Sequence, residues 1–273
     1  GGCYREYCTY PPWDQLYGSG LRAAIACADF TDTKNPVQLL TWVAQSEQDE
    51  LYLRGETFGV DILCRNRINE IQFSYEHPLA LPTVFPAPQD LSICIENDFS
   101  SDNVLFFGLL ESKVSVKANR LVYDPQAGRR AIPLSETNSE VGEYCVVANL
   151  IEAKALVTRS GKGNPSSITA VEIAQELLTL DQAVAIVVKN GVFGSVVASN
   201  NGVHSVPSYL TDEVFSIGSG DVFSAVFAYS WAVEHLDPNI SADRASRAVA
   251  YYCKTQCLPL PKNYMEHTSK FEP

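Results

Sequence analysis

Gly218-Ser219-Gly220-Asp221 runs straight into Val-Phe-Ser-Ala-Val-Phe-Ala-Tyr-Ser-Trp, residues 222–231. Phe223, Phe227 and Trp231 recur every four residues, which predicts a helix with one apolar face turned to a core. The glycines let the backbone turn tightly and present its N–H groups without a Cβ in the way. Free N–H groups at a helix start, together with the positive end of its dipole, form an anion site. Asp221 would sit beside any phosphate held there. An anion cradle next to a carboxylate suits phosphoryl transfer, with the carboxylate taking the proton of an attacking hydroxyl. The plain alternative is a loop glycine followed by an aspartate cap.

The 273 residues are enough for one large α/β domain, and neither an internal repeat nor a low-complexity linker divides them. Gly1-Gly2 reads as the end of a first strand, so residues are expected to precede it. No run of about 18 apolar residues exists, so no membrane span is expected, and no secretory signal is visible at the start. The formal charge of −12 repels a phosphate backbone and argues against a nucleic-acid partner. It leaves a nucleotide substrate open, because amides and a metal ion can bind phosphates locally. None of the eight cysteines forms a C-x-x-C pair. Cys253 and Cys257, one helical turn apart, suit either a metal or core packing, and packing is the commoner use. The set reads as reduced thiols of a cytoplasmic protein.

Strand and helix signals alternate, which predicts an α/β fold with a largely parallel sheet. Helices are expected at residues 18–28, 36–45 and 171–180. Buried strands are expected at 121–123, ending at Asp124-Pro125, at 144–148, ending at Asn149, and at 183–189. Turns at Asn190-Gly191 and Asn201-Gly202 predict an antiparallel meander through 194–198 and 203–206. Residues 58–77 mix apolar and polar groups like one or two strands with one wet face, a small β lid that parts of 3–12 would join. Ligands of open α/β sheets bind beyond the carboxyl ends of strands. Asp124, Asn149 and Lys189 stand at such ends, and the loop at Gly218 should abut the same edge.

These residues, in this order, resemble the ribokinase-like, or PfkB, carbohydrate and nucleoside kinases. Gly218-Ser219-Gly220-Asp221-Val222-Phe223 is similar to the signature D-T-x-G-A-G-D-x-F. Asn149-Leu150-Ile151-Glu152 matches N-x-x-E. Lys189-Asn190-Gly191-Val192-Phe193-Gly194 resembles the strand and turn of the nucleotide site, Tyr123-Asp124-Pro125-Gln126 a recurrent D-P segment, and Gly18-Ser19-Gly20-Leu21-Arg22 the first glycine motif. The resemblance implies a three-layer α/β/α core with a mostly parallel sheet and a small β lid, ATP as donor and Mg²⁺ as helper. It makes Asp221 the catalytic base and Gly218, Ser219 and Gly220 the anion hole. Asn149 and Glu152 would organise Mg²⁺ through water, and Lys189, Asn190, Gly191 and Gly194 would line the nucleotide. Glu6, Gly18, Gly20 and Arg22 would face the acceptor, a hydroxyl on a sugar, sugar derivative or nucleoside. Lid strands pair between subunits in some members, so a homodimer is compatible.

Several parts keep a structural alternative. Asn149 could end a strand, Glu152 could be a solvated first-turn acid, and Lys189 could be a strand-end lysine reaching for water. Ser160-Gly161-Lys162-Gly163 lacks P-loop spacing and reads as a surface loop. The chain also departs from the pattern. Phe215 and Ser216 replace the opening Asp-Thr, which argues against a monovalent-cation site. Arg22 replaces an Asn that meets sugar hydroxyls, and Glu6 aligns with an early Asp. Arg22 would either bind an anionic group of the substrate or pair with Glu6 and shape the pocket. The departures motivate a second reading, a protein of this fold that senses a metabolite or nucleotide without transferring phosphate.

Overall fold

The apolar runs that end at Asp124, Asn149 and Lys189 lie side by side in one sheet. A computed structural model describes residues 1–32, 34–161 and 169–270, with the backbone alone for 96–98. Strands β7 (Cys94–Phe107), β8 (Ser112–Asp124), β9 (Glu140–Asn149) and β10 (Ala185–Lys189) run parallel. The expected meander follows: β11 (Ser195–Ser199) and β12 (Gly202–Val206) continue the sheet antiparallel, in the order β12-β11-β10-β9-β8-β7.

Both faces of this sheet are covered around its carboxyl half, because β8 at 121–123, β9 at 145–148 and β10 at 185–188 are continuous apolar runs. Cys145 and Val147 of β9, with Ala185 and Val187 of β10, pack against α5 (Ser219–Ala228) and α6 (Pro238–Thr255). Phe223, Phe227 and Trp231 all enter that layer, as their spacing requires. The alternate residues Val146, Ala148, Ile186 and Val188 pack against α3 (Leu150–Arg159) and α4 (Ala170–Leu180). The result is a three-layer α/β/α sandwich. Asn149 opens α3, and Thr169 opens α4 through a reciprocal cap with Glu172. The α1 helix (Gly18–Ala26) is buried all round, with Leu21, Ala24 and Ile25 on one side and Ala23 and Ala26 on the other.

Residues 36–45 are not a helix. Gln38–Val43 forms strand β3, parallel to β4 (Asp61–Asn66). Its side chains alternate between two cores: Leu39 and Val43 meet α1 and α2 (Gln48–Phe58), while Leu40 and Trp42 meet Phe106, Leu121 and Tyr123. A short apolar run buried on both sides has no wet face to reveal its period, so length and pattern alone did not separate strand from helix.

A second, four-stranded sheet stands beside the sandwich. Its order is β2 (Trp13–Leu16), β1 (Arg5–Cys8), β5 (Gln72–Tyr75), β6 (Thr83–Phe85). Of the stretch 58–77, only β5 joins it. Phe58 closes α2 and Asp61–Asn66 pairs with β3, because Ile62 and Cys64 find apolar partners in the core around α1. Lys162 and Gly163 of the glycine-rich loop lie outside the described residues. All eight cysteines are free, Cys253 buried and Cys257 exposed, and no metal-sized group of His, Cys, Asp and Glu exists among the described residues. No helix of the described residues is long and apolar enough to cross a membrane.

Phe227 is fully buried between α5 and the sheet. Truncation to alanine removes a ring that the close-packed layer cannot replace, so Phe227→Ala is expected to lower unfolding free energy by about 3–5 kcal/mol. Tyr10→Ala, at an exposed lid position, is expected to stay within about 0.5 kcal/mol. Urea denaturation followed by circular dichroism measures both.

Candidate functional site

Strands whose middles are buried on both faces can show polar groups only at their ends. Here β8, β9 and β10 end at Asp124, Asn149 and Lys189, and all three residues line one cavity of about 1150 Å³. The loop at the start of α5 contributes Gly218, Ser219, Gly220 and Asp221, and β1 and α1 contribute Glu6, Gly18 and Arg22. Glu152, Gly191 and Gly194 complete the sequence-predicted residues found there. Two others lie outside it. The Asn190 backbone N–H closes a turn onto the Gly194 carbonyl at 2.8 Å. Gly20 is a point of close approach, where a Cβ would fall 2.5 Å from the Gly1 backbone and the N–H bonds the Gly2 carbonyl at 2.7 Å.

Gly218 sits in the left-handed region at φ 77°, just before α5. A Cβ there would meet the Arg22 guanidinium at 2.1 Å, so the loop lies directly on that side chain. Arg22 is nearly inaccessible to solvent. Its Nη1 donates to Glu6 Oε1 and to Asp221 Oδ2, each at 2.9 Å, and its Nη2 bonds Glu6 Oε2. Glu6 also accepts the Gly18 N–H at 3.2 Å. Arg22 therefore pairs with Glu6, and with Asp221 as well. Gln126 Nε2 holds the other oxygen of Asp221 at 2.7 Å. Burial, with Glu6 adding to it, pushes the Asp221 carboxyl above the ordinary aspartate value, while Arg22 and Gln126 act against the rise.

A second charged group lies on the other side of the loop. Lys189 turns inward, donating to Asp124 Oδ2 at 2.7 Å, and its Nζ lies 3.6 Å from where a Cβ on Gly220 would stand. Ser224 Oγ donates to the same Asp124 oxygen at 2.6 Å. Burial disfavours the ammonium, but Asp124, Glu152 and Asp221 outweigh it and hold Lys189 above the usual lysine value. The Asn149 oxygen accepts the Ile151 and Glu152 N–H groups at 2.9 and 3.0 Å, and a Glu152 oxygen returns the bond to the Asn149 N–H at 3.0 Å. Asn149 thus caps α3. Glu152 is a buried acid rather than a solvated one, raised by burial and then by Asp124. The fully buried Asp124 keeps one oxygen, Oδ1, without a hydrogen-bond partner. Two buried acids at neighbouring strand ends suit a hard divalent cation, which prefers oxygen ligands and retains several waters.

The remaining walls differ in character. From the four-stranded sheet and its flanks come Tyr4, Phe73, Tyr75 and Val84, with the Tyr4 and Phe73 rings 5.2 Å apart. Val192, Leu210, Val214, Val249 and Cys253 add apolar side chains to the lining, which also includes the cation Arg130. Gln126 and Asp124 were both visible in the sequence as a strand end followed by Asp-Pro. The Arg22–Asp221 contact joins residues 199 positions apart, and no local signal announces it.

No protein-family model matches the chain, and no curated protein matches it. Solved structures do. Ribokinase from Thermotoga maritima superposes with a TM-score of 0.67 over 98% of this chain and 96% of its own, at 14% identity. A nucleoside kinase from Methanocaldococcus jannaschii, described as an archaeal member of the ribokinase family, gives 0.60 over 97% and 95%, at 12% identity. A pyrophosphate-dependent kinase in the ribokinase family, complexed with a pyrophosphate analog and myo-inositol, gives 0.59 over 97% of each chain, also at 12%. The chain has the ribokinase-like fold.

Glu6 and Asp221 share one guanidinium, so this buried group carries one carboxylate in excess. Because the folded-state pKa of Asp221 is raised, the unfolded chain loses this proton first as pH rises, and ionisation opposes folding above the ordinary aspartate value. Asp221→Asn is therefore expected to unfold at a higher temperature than the parent near neutral pH. The gap should narrow as pH falls through the ordinary aspartate value and close toward about pH 3, where the parent aspartate is mostly protonated in both states. Scanning calorimetry across that range checks the sign.

Proposed function

We propose that this protein transfers the terminal phosphoryl group of ATP, with Mg²⁺, to a hydroxyl of a small sugar-like or nucleoside-like acceptor. One observation carries the reading: the Asp221 carboxylate and the main-chain N–H groups of Gly218 and Gly220 open α5 onto the same cavity as Lys189, while the Ser219 N–H, expected to join them, is spent on the Ser216 carbonyl at 3.1 Å. In this reading Asp221 Oδ1 keeps a lone pair beside its bond from Gln126 and accepts the proton of the acceptor hydroxyl. The loop N–H groups and the helix dipole meet the charge that develops on the transferring group. Lys189, reaching under Gly220, adds a cation on the donor side. Glu152, with Asp124 beside it and Asn149 orienting it, would hold a divalent cation partly through water, and such a cation offsets phosphate charge.

The donor end supports a nucleotide over bare pyrophosphate. Its apolar side chains suit a flat base, whereas a small polyanion would leave them uncovered and face more acids than bases. The acceptor end supports a neutral compound. Both terminal nitrogens of Arg22 are taken by the protein's own carboxylates, so no free cation awaits an anionic substituent there. Tyr4, Phe73 and Tyr75 offer ring faces to the apolar side of a sugar or base. Closure of the four-stranded sheet over the acceptor would exclude water and limit hydrolysis of the donor.

A sensor that binds without transferring phosphate is the second reading. It is favoured by the ion pair to Arg22, which occupies one oxygen of the base. Incubation with ATP and Mg²⁺ against sugars, polyols and nucleosides, read by mass spectrometry, separates the two. Acceptor-dependent ADP with a phosphorylated product supports transfer. Ligand-induced thermal stabilisation with no product across the panel supports the sensor. For the enzyme, Asp221→Asn is expected to lower kcat by about a hundredfold to ten-thousandfold while leaving ATP affinity within a few-fold, as measured by steady-state kinetics and calorimetry.

A further inference from the structure

We propose that Arg22 is the positioning residue of this site: anchored by Glu6 and packed beneath Gly218, its guanidinium holds the Asp221 carboxylate beside the main-chain donors of the loop. The proposal rests on the phosphotransfer reading for its functional meaning, but its geometry stands independently.

Three contacts converge on this one side chain. Its Nη1 bridges Glu6 and Asp221 at 2.9 Å each, joining β1 to the start of α5. Its Nη2 bonds the second oxygen of Glu6, so the fork is locked in two places. Its Nε, Cζ and Cδ lie 2.1–2.3 Å from where a Cβ on Gly218 would be, so the flat guanidinium is the floor on which the loop rests. The Nε is buried beneath Gly218, out of reach of solvent, and the terminal nitrogens are given to Glu6 and Asp221. Arg22 therefore acts through Asp221 and Gly218 rather than on a ligand.

A lysine in its place could offer a point charge but neither the fork nor the flat floor. An apolar residue would leave two buried carboxylates, Glu6 and Asp221, facing each other without a cation. The other groups around Asp221 do not replace it. Gln126, beyond β8, is neutral. Tyr75 on β5 and Tyr252 on α6 are both held well above the ordinary tyrosine range by burial, and so are neutral too. Lys189, at the end of β10, acts on Asp221 from a distance but is tied to Asp124. Arg22 is thus the cation in contact with Asp221, and Glu6 the acid that opposes its ionisation.

The test reads Asp221 directly, without needing a substrate. Protein labelled with carbon-13 at aspartate Cγ is titrated by NMR, and the Asp221 resonance is identified by its absence in Asp221→Asn. Arg22→Met is expected to raise the Asp221 midpoint by about 1–3 pH units. Arg22→Lys should raise it less, and Glu6→Gln should lower it. A natively folded Arg22→Met with an unmoved midpoint overturns the proposal. If Arg22→Met fails to fold, Glu6→Gln decides: a lowered midpoint supports the proposal and an unchanged one overturns it. In the acceptor-dependent ADP assay, Arg22→Lys should lower kcat at least tenfold with KM for ATP held within threefold, and move the acid limb of the pH profile with the NMR midpoint. Wild-type protein that forms no ADP with any acceptor would sink the phosphotransfer reading alone, since the titration still decides the role of Arg22.

Discussion

The carboxyl-terminal stretches of the parallel strands β8, β9 and β10 are buried on both faces, and that constraint positions the site. Alternate residues such as Val146 and Val147, or Ile186 and Val187, enter opposite helical layers. Nothing polar can be placed along such strands without a buried partner. Their chemistry is therefore displaced to the carboxyl ends, where Asp124, Asn149 and Lys189 emerge at one edge. The helix α5 packs across the same strands through Phe223 and Phe227, and this brings the N–H groups at its start to that edge. Core packing and site assembly are one event.

The charges at this edge are grouped rather than scattered. Beside the start of α5 Glu6 and Asp221 share Arg22, and at the ends of β8 and β10 Asp124 and Glu152 surround Lys189. Each group carries more acid than base. Burial pushes Asp221 and Glu152 upward, and a neighbouring buried carboxylate, Glu6 for the first and Asp124 for the second, adds to the rise. A polyphosphate entering here gains from the loop amides and Lys189 but also meets carboxylates. In the proposed function a divalent cation would offset that conflict, and the buried Asp124 Oδ1 is an acceptor without a hydrogen-bond partner.

Much of this was legible from residues alone. The strand ends at Asp124, Asn149 and Lys189, the meander through Asn190-Gly191 and Asn201-Gly202, and the helix after Gly218 follow from strong local rules about turns, caps and apolar spacing. Residues 36–45 were misread as a helix, because a strand buried on both sides shows no alternation against solvent. The stretch 58–77 was read as one texture, although Asp61–Asn66 and Gln72–Tyr75 belong to different sheets. Half-buried strands look alike wherever they pair, and the partner is chosen by neighbours far away in the chain.

The strand ends at Asp124, Asn149 and Lys189, the meander after Lys189 and the helix after Gly218 were written into the sequence, since each depends on contacts within a few residues or on the period of apolar side chains. What only the tertiary structure decided is how the charges are shared. Arg22 could have met a ligand or a carboxylate, and Lys189 could have reached for water. Folding turned both inward, because a cation enclosed by a packed core is tolerable only in contact with an acid, and the acids lay on strands and helices that sequence distance keeps apart.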